Sequence, residues 1–254
     1  MTPNPFSLAG RNALVIGGTS GIGKAIAAGF AKAGAQVIIA GRDAAKLDRA
    51  LTELGALGTA HGHACDVRDP ASLHGLVAAT IANHERIDIL VNSQGVIRLK
   101  PAEEFTLEDW DDIMPTNLRS VFFACTDVGR HMLERGRGSI INIASLASFR
   151  GWPRSALYGI AKAGVVSITE TLGAEWAARG VRVNAIAPGF VMTDLNRDKM
   201  PAERKALALA RTPMGRFGET DDLAGAAVFL ASDASSYVTG ETIRVDGGFL
   251  APGL

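Results

Sequence analysis

An excess of charge of either sign is missing from this 254-residue chain, in which 26 basic residues balance 26 acidic ones. A neutral total removes the usual electrostatic argument for nucleic-acid binding, which rests on an excess of Lys and Arg. Cysteine is scarce. Cys65 and Cys125 lie far apart, each in an apolar stretch, and read as buried free thiols, because a metal site needs more ligands at closer spacing. No apolar run approaches the roughly 20 residues of a membrane span. Met1–Gly10 lacks a basic flank followed by an apolar run, so no secretory signal is read there. Repeats, low-complexity tracts and linkers are absent too. The expectation is a cytoplasmic protein with no metal and no nucleic-acid or membrane partner.

Apolar residues, at 47% of the chain, suffice for a large core, and the length sits at the upper end of one undivided α/β domain. Short apolar runs alternate with longer amphipathic segments. Strands are expected at 12–16, 36–40, 62–65, 87–91, 139–143, 181–186 and 242–245. Helices are expected at 21–33, 43–54, 70–83, 116–133 and 156–178. Such alternation implies βαβ units, a parallel sheet covered by helices on both faces, and a Rossmann-type doubly wound fold. Residues 1–8 read as an N-terminal tail. The least regular stretch, Gly189–Gly218, reads as a substrate-side flap.

The first strand runs into Gly17-Gly18-Thr19-Ser20-Gly21-Ile22-Gly23. A tight turn needs residues without Cβ, a pyrophosphate needs close backbone approach, and the following helix offers unpaired N–H groups. Gly17, Thr19, Ser20, Gly21, Ile22 and Gly23 are therefore candidate cofactor contacts. An ordinary strand-to-helix turn would use the same glycines, and no Gly-Lys-Ser/Thr follows to make a Walker-type site. The second strand ends Ile39-Ala40-Gly41-Arg42. A carboxylate that would bind a ribose 2′-hydroxyl is missing at position 41, whereas Arg42 suits a 2′-phosphate. NADP(H) is the expected cofactor over NAD(H), and Asp43 reads as the next helix's N-cap.

Ser145 lies just past the strand at 139–143, at the edge where open α/β sheets bind ligands. Tyr158 and Lys162 follow in Tyr-Gly-Ile-Ala-Lys, and i,i+4 spacing puts both on one helix face. A close ammonium favours a phenolate and is expected to lower the Tyr158 pKa toward working pH, where it can exchange a proton. Ser145 is expected to hold the substrate oxygen. A Tyr-x-x-x-Lys pair alone is common on helices; the combination with the glycine turn is not.

Together the glycine turn, Ser145, Tyr158 and Lys162 make the chain similar to the short-chain dehydrogenase/reductase family over roughly Leu8 to Gly248. Asn117 in Thr-Asn-Leu, Pro188-Gly189 after a strand, and Asp246-Gly247-Gly248 extend the resemblance. It implies that Asn117 joins the catalytic set by anchoring a relay water near Lys162, and that Lys162 also contacts the nicotinamide ribose. It implies further that Asp66, with Val67 beside it, faces the adenine, and that Asn92 and Gly95 border the adenosine ribose. Pro188, Gly189, Val191 and Thr193 would complete the cofactor contacts. A homotetramer is implied in the same way. Two departures stand out: Ile16 where the family often has Thr, and Asn92-Ser93-Gln94-Gly95 where Asn-Asn-Ala-Gly is usual.

Residues 95–110 resemble the gluconate 5-dehydrogenase-like branch, which implies a keto sugar acid or polyol as substrate; a 3-oxoacyl-thioester reductase is the alternative. Arg98, Lys100, Arg150, Trp152 and Arg154 could rim the crevice, where cations would suit a substrate carboxylate or phosphate. Each could equally be solvated surface. A cofactor-sensing regulator would be a different class of protein, and it should have lost part of the Ser-Tyr-Lys set. A nicotinamide-dependent epimerase or dehydratase would need a longer C-terminal substrate region.

Overall fold

The computed structural model describes residues 4–193 and 200–251. In chain order the strands are β1 (Asn12–Ile16), β2 (Gln36–Gly41), β3 (Ala60–Ala64), β4 (Ile89–Asn92), β5 (Gly138–Ile143), β6 (Val181–Pro188), β7 (Val191–Met192), β8 (Gly218–Glu219) and β9 (Thr242–Val245). The helices are α1 (Gly21–Lys32), α2 (Ala44–Gly55), α3 (Pro70–His84), α4 (Leu107–Met114), α5 (Ser120–Arg135), α6 (Ala156–Trp176), α7 (Ala202–Ala210) and α8 (Ala224–Ala231).

Seven strands form one sheet in the order β3-β2-β1-β4-β5-β6-β9, and every neighbouring pair is parallel. Chain order reverses between β1 and β4, which opens a crevice at the strands' C-terminal ends. The period-2 alternation of a strand divides the core. Ala13 and Val15 of β1 pack with Ile26 and Phe30 of α1. Leu14 and Ile16 pack on the opposite face with Val121, Cys125 and Val128 of α5. Both faces are covered, so the strands read as continuous apolar runs. Both cysteines are buried and free, as expected. Among the described residues no helix is long and apolar enough to cross a membrane.

Local signals explain most of the element starts. Asp43 caps α2 by accepting from the Lys46 N–H at 3.0 Å, and Asp69 caps α3 through Ala71 at 3.0 Å. Three helices were not anticipated. α4 carries its own start signal, the reciprocal cap between Thr106 and Asp109. α7 lies inside the stretch read as irregular. α8, Ala-Gly-Ala-Ala-Val-Phe-Leu-Ala, is apolar on nearly every side and has no helical stripe to read. It packs so close to α1 that a Cβ on Gly29 would stand 2.9 Å from the Cβ of Ala224.

The helix expected from Thr116 begins instead as a π-turn over Pro115–Arg119 before α5. Pro115 follows α4 directly and has no N–H to continue its ladder. Within the expected flap 189–218, β7, α7 and β8 are ordered elements, β7 pairs with β8, and positions 194–199 lie outside the described residues. Leu8, placed in the expected tail, is fully buried, and its N–H donates to the Ala33 carbonyl at 2.9 Å.

Candidate active site

The β1–α1 turn is built without side chains because there is no room for them. A Cβ on Gly17, where φ is +79°, would stand 2.8 Å from the Gln94 nitrogen, and one on Gly23 would stand 2.2 Å from the Gly17 carbonyl oxygen. Gly21, at φ +53°, faces open space instead, with only Thr193 of the segment after β7 within reach at 3.6 Å. Ser20 is the N-cap of α1 and its side chain makes no capping bond, so the first N–H groups of the helix stay available to an anion. Such a cradle fits a dinucleotide pyrophosphate. Ile22 packs partly buried beside the β1–α1 core.

The end of β2 gives the missing carboxylate a steric reason. A Cβ on Gly41 would lie 2.7 Å from Cγ2 and 2.9 Å from Oγ1 of Thr19. Thr19 thus fills the volume that an acidic side chain would need. Arg42 is exposed. Asp66 accepts from the Arg68 guanidinium at 2.8 Å, and that bond, helped by the charge of Arg42, holds its carboxyl at about 2. Val67 leans partly buried on the core.

Asn92 offers the crevice no side chain. It is buried and donates Nδ2 to Asn142 Oδ1 at 2.9 Å and to Cys125 Sγ at 3.3 Å. Any contact it makes with a ribose must come from its main chain. Gly95 stands beside the catalytic candidates, since a Cβ there would be 3.7 Å from Asn117 Oδ1 and 3.8 Å from Lys162 Nζ. Asn117 lies in the π-turn, fully buried. It accepts from the Val96 N–H at 2.8 Å and donates to the Val96 carbonyl at 2.8 Å. Both ends of its amide are therefore engaged with Val96, each with one further hydrogen-bonding position left.

Ser145 lies two residues past β5, and Tyr158 and Lys162 lie in the first two turns of α6, so the three converge at the crevice. Lys162 is 3% exposed. It donates to the Ile143 carbonyl at 2.6 Å, and its Nζ sits 6.0 Å from the Tyr158 ring centroid. Burial lowers its pKa to about 8. The expectation that this ammonium lowers the Tyr158 pKa is not met: burial raises it, and the Ser145 hydroxyl only partly opposes the rise. The amine stands over the ring, and partial burial of Tyr158 favours its neutral phenol, the form that donates a proton.

The expected cationic rim needs a correction. Arg98 pairs with Asp112 at 2.8 Å and Lys100 pairs with Asp109, so both charges are answered within the chain by α4. The Arg150 guanidinium donates to the Phe149 carbonyl. Arg154 is exposed and has φ of +69°, unusual for a residue with a Cβ. Trp152 packs instead against Phe190 and Phe249 at ring-centroid distances of 5.6 Å each. These three follow β5, β6 and β9, and no sequence signal joins them because they are far apart in the chain. Pro188 closes β6. Gly189 lies so close to Asp246 that a Cβ would be 2.6 Å from its Cα, which joins the Pro-Gly and Asp-Gly-Gly motifs physically. Val191 is buried in β7. Among the described residues no group of three or more His, Cys, Asp or Glu side chains could hold a metal ion.

The chain as a whole is similar to known proteins. A family model described as enoyl-(acyl carrier protein) reductase matches residues 17–250. D-threitol dehydrogenase of Mycolicibacterium smegmatis is 44% identical, covering 96% of this chain and 94% of that protein. Gluconate 5-dehydrogenase of Gluconobacter oxydans is 42% identical over 97% of both chains. The crystal structure of a putative NAD(P)-dependent gluconate 5-dehydrogenase from Beutenbergia cavernae, with bound NADP at low occupancy, superposes with a TM-score of 0.93 at 43% identity, covering 98% of this chain and 100% of that one. The chain belongs to the short-chain dehydrogenase/reductase family. It is an oxidoreductase acting on CH–OH groups. Of Ile16, Ser93 and Gln94, the last is buried against α5 through a bond to Ser120.

Proposed function

We propose that this chain is an NADP(H)-preferring dehydrogenase that interconverts a secondary alcohol and a carbonyl on a keto sugar acid or polyol. The observation that carries the chemistry is the convergence of Ser145, Tyr158 and Lys162 beside the side-chain-free turn at Gly17–Gly23. A bound nicotinamide supplies or accepts the hydride. Gly17, Thr19, Ser20, Gly21, Ile22 and Gly23 hold the pyrophosphate through main-chain N–H groups, and Arg42 with Thr19 receives the 2′-phosphate. Asp66, Val67, Asn92, Gly95, Pro188, Gly189, Val191 and Thr193 complete the contacts, Asn92 by its main chain.

In the reducing direction Ser145 donates a hydrogen bond to the carbonyl oxygen and orients it at Tyr158. Tyr158 gives its phenolic proton to that oxygen as the alcohol forms. Lys162, with a pKa near 8, is poised to return a proton toward the phenolate by way of water held at Asn117. The sugar-acid and polyol assignment leans on the relatives named above.

Phe122 and Phe123 on α5 and Ile160 on α6 are exposed apolar side chains, which fits a homotetramer built through these helices. Two free buried thiols are compatible with a reducing cytoplasm. The deciding assay is a panel read at the absorbance of reduced nicotinamide: 5-ketogluconate, simple ketoses and a 3-oxoacyl thioester with NADPH and NADH, and threitol with NADP+ and NAD+. Turnover should be highest on the sugar acid or polyol members. Highest activity on the thioester, or equal low activity on all, would reject the substrate assignment.

A further inference from the structure

Gln94 has no task in the chemistry above, yet it is 7% exposed and sits between the cofactor turn and the catalytic amine. On one side its backbone nitrogen would stand 2.8 Å from a Cβ on Gly17. On the other side, its neighbour Gly95 abuts Asn117 Oδ1 and Lys162 Nζ. Its own side chain reaches α5, where Nε2 donates to Ser120 Oγ at 3.0 Å. Ser120 Oγ in turn donates to the Thr116 carbonyl at 2.6 Å. A hydroxyl has one proton, so Ser120 must accept from Gln94, which fixes the orientation of the amide.

The loop 93–96 is therefore tied to the π-turn at 115–119 in two places. One tie runs from Gln94 through Ser120 to Thr116. The other is the two-way exchange between Asn117 and Val96. The first has a cost, because Gln94 Oε1 is buried with no partner. A half-satisfied buried amide destabilises a fold relative to an apolar side chain of the same shape. Stability alone does not account for an amide there, and unfavourable local features of this kind gather at functional sites.

We infer that Gln94 is a positioning residue: through Ser120 it locks the π-turn carrying Asn117 to the loop flanking Lys162, and so fixes where the Lys162 amine stands relative to Tyr158. The inference rests on the proposed proton transfer by Tyr158. Gln94→Met keeps length and volume while removing both the tie and the orphaned acceptor. Ser120→Ala breaks the same tie at its middle link with the loss of one oxygen, and serves by itself should Gln94→Met fail to fold.

The test is steady-state kinetics of both variants and their combination, beside the unaltered chain, with thermal unfolding and NADPH binding measured in parallel. Expected is a kcat lower by about tenfold, the scale of a sub-ångström loss of alignment. KM for the carbonyl substrate and Kd for NADPH should stay within about twofold, and the Tm of Gln94→Met should not fall. The combination should be no worse than the worse single variant, because both break one chain of bonds. Unchanged kcat in the variants overturns the inference and leaves the proposed function standing. So does a fall in kcat matched by a fall in Tm and a rise in KM, the signature of a packing role. Absence of turnover by the unaltered chain on the whole panel instead rejects the proposed function, and the inference with it.

Discussion

Replacing Arg42 with Leu is the sharpest probe of cofactor choice. Arg42 is exposed just past the end of β2, and its side chain makes no hydrogen bond or ion pair with the described residues. Asp66, the acid on which its charge acts, is already answered by Arg68 at 2.8 Å. The guanidinium is thus free to meet a 2′-phosphate. One charge-assisted hydrogen bond contributes about 1.5–3 kcal/mol, or roughly 10- to 150-fold in affinity at about 1.4 kcal/mol per decade. Exposure and salt move the estimate to the lower end. In Arg42→Leu, kcat/KM for NADPH should therefore fall about tenfold, and that for NADH by less than about twofold.

The assay is initial rate against each cofactor at saturating carbonyl substrate, at low and high ionic strength. The NADPH deficit should shrink as salt rises. Equal losses with both cofactors would refute the reasoning, as would a higher kcat/KM for NADH in the unaltered chain. The steric half is testable in the same way. Gly41→Asp should weaken NADPH use without gaining NADH, because Thr19 Cγ2 lies 2.7 Å from the new Cβ. Adding Thr19→Gly should make room and let NADH use rise. A gain of NADH use by Gly41→Asp alone would show that Thr19 yields.

Tyr158→Phe should abolish turnover, by at least about a hundredfold given the contribution of general acid catalysis, while NADPH binding measured by fluorescence titration stays within about threefold. Lys162 sets a pH dependence of stability. Its folded pKa is lowered to about 8 from 10.5, so between those values the unfolded chain holds more protons, and stability from this group rises with pH. The burial penalty is full below pH 8. Lys162→Met should therefore unfold at a higher Tm than the unaltered chain at pH 7, with the gap narrowing toward pH 10; a gap that widens would contradict burial as the cause. Light scattering should give a mass of four chains, and a monomeric mass would remove the proposed α5–α6 association.

Much of the fold was legible because parallel strands covered on both faces leave unbroken apolar runs, and amphipathic helices leave stripes. β1, α1, β2 and the N-cap at Asp43 follow from neighbours in sequence. α8 was hidden because it is apolar on nearly every side, and the π-turn because nothing local marks where a helical ladder widens around Pro115. The Ser145, Tyr158 and Lys162 set was legible by residue type and spacing. Its electrostatics were not: i,i+4 spacing says that two side chains meet, not how much water is left around them. Burial then reversed the expected direction for Tyr158.

The sequence by itself determined the βα alternation, the side-chain-free turn, the lack of an acid at position 41 and the spacing of Tyr158 and Lys162 on one helix face, since these depend on residue type and short-range geometry. Tertiary structure decided the rest. It placed Thr19 over Gly41, answered Arg98 and Lys100 with the carboxylates of α4, engaged Asn117 with Val96, gathered Trp152, Phe190 and Phe249 from three strand ends, and tied Gln94 to Ser120. Each of these is a contact between segments distant in the chain, fixed by how the sheet orders its strands and by which polar groups burial forces into partnership.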